Sequence, residues 1–264
     1  MNRIRIMGIA AVAAVTVTVG CAFGGGGKED DPHTPLVNPF IGSWQAGDGV
    51  YWVFREDGTG GTGSALSEVG DDYSYLIWYG QGLGTNVKHN TLVTAGGDTN
   101  SAASAEIKQY RFAVNSATIT LIPQILTLGT NDYYTIQDDT AHPITLTRQG
   151  AAVEKPLSLS NDLIGEWHAD WDGEHNTDGN TTWSYKFRTD GTARTYHHAM
   201  HQFDNGYLLR GKVLVILGEW RFSDTFGYTA STVTPVVNGR FTAQEHHHGA
   251  LNWDFQHVAS AEWK

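Results

Sequence analysis

Asn161-Asp162-Leu163-Ile164-Gly165-Glu166-Trp167 answers an earlier heptapeptide, Asn38-Pro39-Phe40-Ile41-Gly42-Ser43-Trp44, with Asn, Gly and Trp at the same spacing. A second block recurs in the same order. Phe54-Arg55-Glu56-Asp57-Gly58-Thr59 is matched by Phe187-Arg188-Thr189-Asp190-Gly191-Thr192. Two blocks in one order mark an internal duplication. The offset is 123 residues from Gly42 to Gly165 and 133 from Gly58 to Gly191. The second copy therefore carries about ten extra residues, read as an acidic loop insertion at Asp170 to Asn180.

Each copy reads as β structure. Trp183, Tyr185 and Phe187 alternate with Ser184, Lys186 and Arg188, the period of a half-buried strand. Tyr73 to Tyr79, Ile107 to Val114, Ala117 to Ile122, Tyr133 to Gln137 and Ile144 to Arg148 are also short and rich in aromatic and β-branched residues. Asp57-Gly58, Asn115-Ser116 and Asp190-Gly191 mark hairpins, because Asp and Asn tolerate left-handed backbone and Gly adopts it freely. No amphipathic helix stands out. The expected fold is all-β, with two consecutive small antiparallel up-and-down barrels and a β-sandwich as the alternative, since closure removes the exposed edges of a sheet. The boundaries read as domain 1 over 38–149, a linker of small residues around Pro156 over 150–160, and domain 2 over 161–264.

The Gly-x-Trp blocks, Gly42 with Trp44 and Gly165 with Trp167, resemble the first-strand motif of lipocalin-like domains. The resemblance implies that each tryptophan closes a barrel floor and that an arginine near the end of the last strand stacks on it. Arg148, in Thr145-Leu146-Thr147-Arg148, is the matching residue of the first copy. The second copy ends Ala261-Glu262-Trp263-Lys264, which offers Lys264 in that place. Function does not follow from the fold, because such barrels carry ligands, bind metals, inhibit enzymes or serve as structural modules.

The N-terminal segment carries Arg3 and Arg5 followed by an apolar run from Ile6 to Val19, which reads as a signal peptide over 1–20 rather than a membrane span. It ends Thr18-Val19-Gly20-Cys21, similar to the bacterial lipobox, so Cys21 is expected to be acylated, palmitate being one such acyl group. Residues 21–37 include Gly24-Gly25-Gly26-Gly27-Lys28-Glu29-Asp30-Asp31-Pro32 and read as a flexible tether. The expected location is the cell envelope, with the membrane as partner through the lipid. Ala22 after the cysteine does not resemble the aspartate-type retention signal of the inner membrane, and the resemblance to lipoproteins then implies the outer membrane if the cell is Gram-negative. With one cysteine, the chain has no internal disulfide.

The net charge of −11 is shared between the halves, with no basic cluster. Polyanion binding needs such a cluster, so nucleic acid is not an expected partner. The second copy holds nine of the twelve histidines: His168, His175, His197, His198, His201, His246, His247, His248 and His257. Imidazole suits zinc and other transition metals, and His246 and His248 share a strand face, so His198, His246 and His248 are the candidate zinc ligands. If Asp190-Gly191 is a two-residue turn, His198 faces Trp183 across the hairpin. The same histidines also suit a solvated hairpin tip at His246-His247-His248-Gly249.

In the first copy, glycines in Thr59-Gly60-Gly61-Thr62-Gly63 lie opposite Phe54 and Trp52. They leave space for a small apolar ligand beside Tyr73, Tyr75 and Tyr79, or else mark a mobile strand. No catalytic motif is found, and the acid pairs Asp71-Asp72 and Asp138-Asp139 sit beside turns, so the chain reads as a binding protein rather than an enzyme. A small-ligand carrier and a structural or adhesive surface module remain the alternatives.

Overall fold

The computed structural model describes residues 34–81, 88–115, 117–128, 134–171, 183–197, 201–219, 226–246 and 252–258. The first copy supplies β1 Gly42–Ala46, β2 Tyr51–Phe54, β3 Thr59–Gly63, β4 Tyr73–Gln81, β5 Lys88–Gly97, β6 Ala105–Val114, β7 Thr118–Leu128, β8 Tyr134–Asp138 and β9 Ile144–Gln149. The second supplies β10 Gly165–Trp171, β11 Trp183–Phe187, β12 Thr192–His197, β13 His201–Arg210, β14 Val213–Glu219, β15 Phe226–Val233, β16 Arg240–Glu245 and β17 Asn252–His257. Among the described residues the helical content is one turn of 3-10 helix at Leu66–Glu68.

Both copies close into antiparallel barrels. In the second, β10 to β17 pair in sequence and β17 returns to β10. In the first, β1 to β6 pair in sequence, β6 pairs with β7, and β9 joins β7 to β1. The edge of β7 is divided: Thr118–Leu121 pairs with β9 and Gln124–Leu128 with β8. β8 thus lies outside the eight-stranded ring as a flap. Closure leaves no pair of open sheets, so the sandwich alternative does not apply.

The two hairpins at the duplicated Asp-Gly blocks differ from the two-residue turn expected of them. Phe187 lies opposite Ala193 and Phe54 opposite Gly60, so each loop holds three residues. Gly191 (φ 80°) and Gly58 (φ 79°) take the left-handed position that such loops require. The aspartate side chain explains the choice. Asp190 Oδ1 accepts from the backbone N and the hydroxyl of Thr192, at 3.1 and 2.7 Å. Asp57 Oδ1 does the same for Thr59, at 3.0 and 2.7 Å. One extra loop residue shifts the register by one, which reverses the expected facing of the strand. Trp183 therefore lies opposite His197, and not His198.

Some strands are apolar on both faces, and these strands join the barrels. Tyr73, Tyr75 and Ile77 of β4 enter the first core, whereas Leu76 and Trp78 pack with Val93, Ala95, Leu208, Val213, Val215, Leu217 and Ala230 in a shared cluster. On β14, Leu214 faces the second core while Val213, Val215 and Leu217 face the first barrel. Burial of both faces requires a continuous apolar run in place of alternation. Polar contacts frame the cluster. Arg210 donates to Asp71 Oδ1 and to the Asp71 carbonyl, both at 2.7 Å, and Ala102 N donates to Thr232 Oγ1 at 2.8 Å.

The segment between the copies is held at both barrels. Ser158 N donates to the Glu56 carbonyl and Leu159 N to the Thr189 carbonyl, both at 2.7 Å. Leu157 is buried against the first core, and Leu159 packs against both cores.

Candidate functional site

Each barrel is shut at the end that carries its Gly-x-Trp tryptophan. Trp44 and Trp167 are 0% and 1% exposed, and their indole nitrogens donate to the carbonyls of Phe40 (2.6 Å) and Leu163 (2.7 Å). Asn38 Oδ1 accepts from Phe40 N and Asn161 Oδ1 from Leu163 N. Tyr75 and Tyr207 donate their hydroxyls to the carbonyls of Arg55 and Arg188, at 2.7 and 2.8 Å. Their backbone nitrogens bond Gly58 and Gly191. The duplication thus extends to hydrogen bonds far apart in sequence. Burial drives the pKa of both tyrosines upward.

Over Trp44 the Arg148 guanidinium lies 4.1 Å from the ring centroid. It also donates to the Pro39 and Ile41 carbonyls, at 2.8 and 3.2 Å. Lys264, expected at the second floor, lies outside the described residues. The strand partner of Trp167 is His257, as Arg148 is that of Trp44. The His257 ring meets Trp167 edge to face at 5.1 Å. Gly165 (φ 135°) and Gly42 (φ 126°) admit these caps, since a Cβ at Gly165 would lie 3.0 Å from His257 Nε2.

Above the floor the barrels diverge at one matched position. Tyr75 and Tyr207 make the same bonds, so Tyr73 and Asn205, each two residues earlier, occupy equivalent sites. Each also faces an equivalent residue of the preceding strand, Gly60 for Tyr73 and Ala193 for Asn205. In the first barrel the Tyr73 ring fills the space over Gly60, where a Cβ would meet Tyr73 Cζ at 2.8 Å. The gap expected from the glycines of β3 is therefore taken by Tyr73, and that core continues with Trp52, Phe54, Tyr75, Tyr79 and Phe112.

In the second barrel the short Asn205 leaves a cavity of about 50 Å³. On the scale of 10–15 Å³ per water, it holds a few waters or a small organic group. Aromatic rings line part of it: Trp183 and Trp253 meet edge to face at 6.0 Å, and Tyr185 and Phe255 lie 5.4 Å apart. Thr195, Asn205, Thr229, Ser231 and Glu245 also line it, together with the apolar Leu214, Ile216 and Ala243. Asn205 Nδ2 donates to Thr195 Oγ1 at 2.7 Å, and its amide rests against Gly218. Glu245 is 2% exposed. On β16, Phe241, Ala243 and Glu245 are the buried residues of an alternating strand, so the carboxylate stands on the inner face.

Of the expected zinc ligands, His198 and His248 lie outside the described residues. His246 is exposed, just past the end of β16. His197 and His201 are direct strand partners at the β12–β13 end of the barrel. Among the described residues no group of three or more His, Cys, Asp or Glu is arranged to hold a metal ion. Cys21 also lies outside the described residues. The acid pairs have structural partners: Asp72 accepts from Thr62 N, Asp71 from Arg210, Asp138 from Arg111 and Gln124, and Asp139 bonds His142. In comparisons with protein-family models, curated proteins and solved structures, nothing matches the chain.

Proposed function

We propose that the chain is a cell-envelope lipoprotein, held to the membrane through acylated Cys21, whose second barrel is a non-catalytic compartment for a small ligand. The observation that carries the reading is the cavity above the Trp167 floor, lined by aromatic, aliphatic and polar side chains, at the position where Tyr73 fills the first barrel. Pockets that pair apolar surface with a few convergent polar groups are the usual form of a small-molecule site, and an eight-stranded barrel has interior room for one small ligand. The first barrel and the shared cluster serve in this reading as a rigid mount.

The test transplants the residues that fill the first barrel. A double variant, Ala193→Gly with Asn205→Tyr, reproduces the Gly60–Tyr73 pair and closes the cavity. Ligands that raise the melting temperature of the full-length wild-type chain, by mass action on the folded state, are expected to leave this variant unmoved. Equal stabilisation of both proteins would refute the assignment. For the anchor, Cys21→Ala is expected to abolish incorporation of labelled palmitate and release the chain from the membrane fraction.

Zinc binding is the second reading. It is favoured by the strand register that sets His197 opposite His201 at the barrel end where β16 runs into His246. Calorimetric zinc titration of the full chain, with a triple His198, His246 and His248 to Ala variant as control, tests it. Tight one-to-one binding lost in the variant supports the site, and loose binding unchanged by the variant removes it.

A further inference from the structure

Resting on the compartment reading, we infer that the β7–β8 flap of the first barrel is the lid of the second-barrel compartment, that Leu126 and Ile136 contact the ligand there, and that the ligand carries an apolar chain. The two ends of the second barrel follow from its strand order. β10 starts at the Trp167 floor, so β14 ends and β15 starts at the opposite end, the mouth. Gly218 and Gly227 are strand partners there. Leu214, Ile216 and Gly218 line the cavity from β14, and Thr229 and Ser231 line it from β15, so Gly227 shares that inner face by alternation. A Cβ on Gly227 would lie 3.7 Å from Leu126 Cδ2 and 3.8 Å from Ile136 Cδ1. The first barrel thus lays an apolar pair against the mouth of the second. Leu126 and Ile136 are strand partners and half-buried, whereas Ile125, on the other face of the flap, is 54% exposed.

The pairing of the flap lets it lift. β7 pairs with β6 only as far as Gln124, so residues 125–128 and 134–137 pair with each other alone. A two-stranded ribbon is marginal by itself and opens at low cost. Its base is fixed, because Asp138 accepts from Arg111 Nε and Gln124 Nε2, at 2.8 and 2.9 Å. Lifting is therefore confined to the part that carries Leu126 and Ile136. Trp183 opens β11 and Trp253 is second in β17, so two indoles stand at the mouth end as well. A cavity of about 50 Å³ encloses a few heavy atoms, and a longer ligand runs out through the mouth, where it meets Leu126 and Ile136. Burying an aliphatic chain there gains about fourfold in affinity per methylene.

Calorimetric titration of the full chain with n-butanol, n-hexanol and n-octanol tests the lid. The expected result is one-to-one binding that tightens from butanol to octanol, at least about tenfold in all. Leu126→Thr with Ile136→Thr keeps β-branched residues suited to a strand, and should bring octanol within about threefold of butanol while leaving butanol affinity within about twofold. Gly227→Leu fills the space beneath the flap from the other side and should have the same effect, which keeps the test open if the double threonine variant unfolds. An octanol advantage retained in either folded variant, with all binding lost in the cavity-closing Ala193→Gly, Asn205→Tyr chain, would overturn the lid and leave the compartment standing. No binding of any alcohol to wild type would overturn both.

Discussion

Gly218→Ala is the sharpest probe of how the cavity wall is built. Gly218 has no side chain because the Asn205 amide occupies that space: a Cβ there would overlap the amide oxygen and lie 3.0 Å from its carbon. To admit the methyl group, Asn205 must swing away and break its 2.7 Å bond to Thr195 Oγ1. Asn205 and Thr195 are 5% and 1% exposed, so bulk solvent does not reach the broken bond. Leaving buried partners unsatisfied costs about 1–3 kcal/mol. An off-rotamer amide adds about 0.5–1.5 kcal/mol. Reduced freedom of the unfolded chain returns about 0.4–1 kcal/mol. The net loss is about 0.5–4 kcal/mol, a fall in Tm of roughly 2–15 °C for a chain of this size. Urea unfolding of Gly218→Ala, Asn205→Ala and the pair forms a double-mutant cycle. In the Asn205→Ala background the clash is absent, so Gly218→Ala should become nearly neutral. A single variant within about 0.5 kcal/mol of wild type, or a penalty undiminished in the double variant, would refute the packing described, judged against the scatter of ordinary surface substitutions.

Three further outcomes are expected. Arg148→Lys keeps the charge but loses the planar fork to Pro39 and Ile41 and the stacking on Trp44, and should cost about 1–2 kcal/mol in denaturant unfolding, whereas neutrality would show that the fork is dispensable. Val215→Asp places a carboxylate in the cluster shared by the barrels, where Val215 is 0% exposed, and should divide one cooperative thermal transition into two; a single unshifted transition would contradict the joint burial. Burial pushes Tyr110 up to about 12 and raises Tyr73, Tyr75, Tyr79 and Tyr207 further, mainly by desolvation. Their contribution to stability is therefore complete below the unfolded value of about 10 and is lost as pH rises above it. Phenolate absorbance should appear in two steps, the second coinciding with loss of β circular dichroism. Ionisation of all eleven tyrosines near pH 10 with the fold intact would refute this.

The two-barrel architecture was legible because duplication, alternation and turn chemistry agree. Gly42, Trp44 and Arg148 stand together as the resemblance implied, since the motif encodes a local bond from Trp44 to Phe40 and one strand pairing. The failures have physical causes. Asp-Gly suggests a two-residue turn, but the following threonine lets Asp190 close a three-residue loop, and one residue of slip exchanged His198 for His197. His257 was not singled out as the strand partner of Trp167 because it was grouped with the other histidines of the second copy, and Lys264 lies outside the described residues. The cavity was legible in part. The alternation Phe241, Ala243, Glu245 carries a carboxylate onto an apolar face, a signal overshadowed by the histidines beside it. The exchange of Tyr73 for Asn205 was not readable, because it needs the Tyr75 and Tyr207 bonds to align the copies.

Native mass spectrometry of the full-length chain, extracted from its own envelope in mild detergent, tests the ligand compartment most directly. The wild-type chain should release one small molecule per protein on collisional activation, and the Ala193→Gly, Asn205→Tyr chain should release none. A wild-type chain that is folded and empty, or a molecule carried equally by the closed variant, would contradict the assignment of the second barrel as a binding compartment.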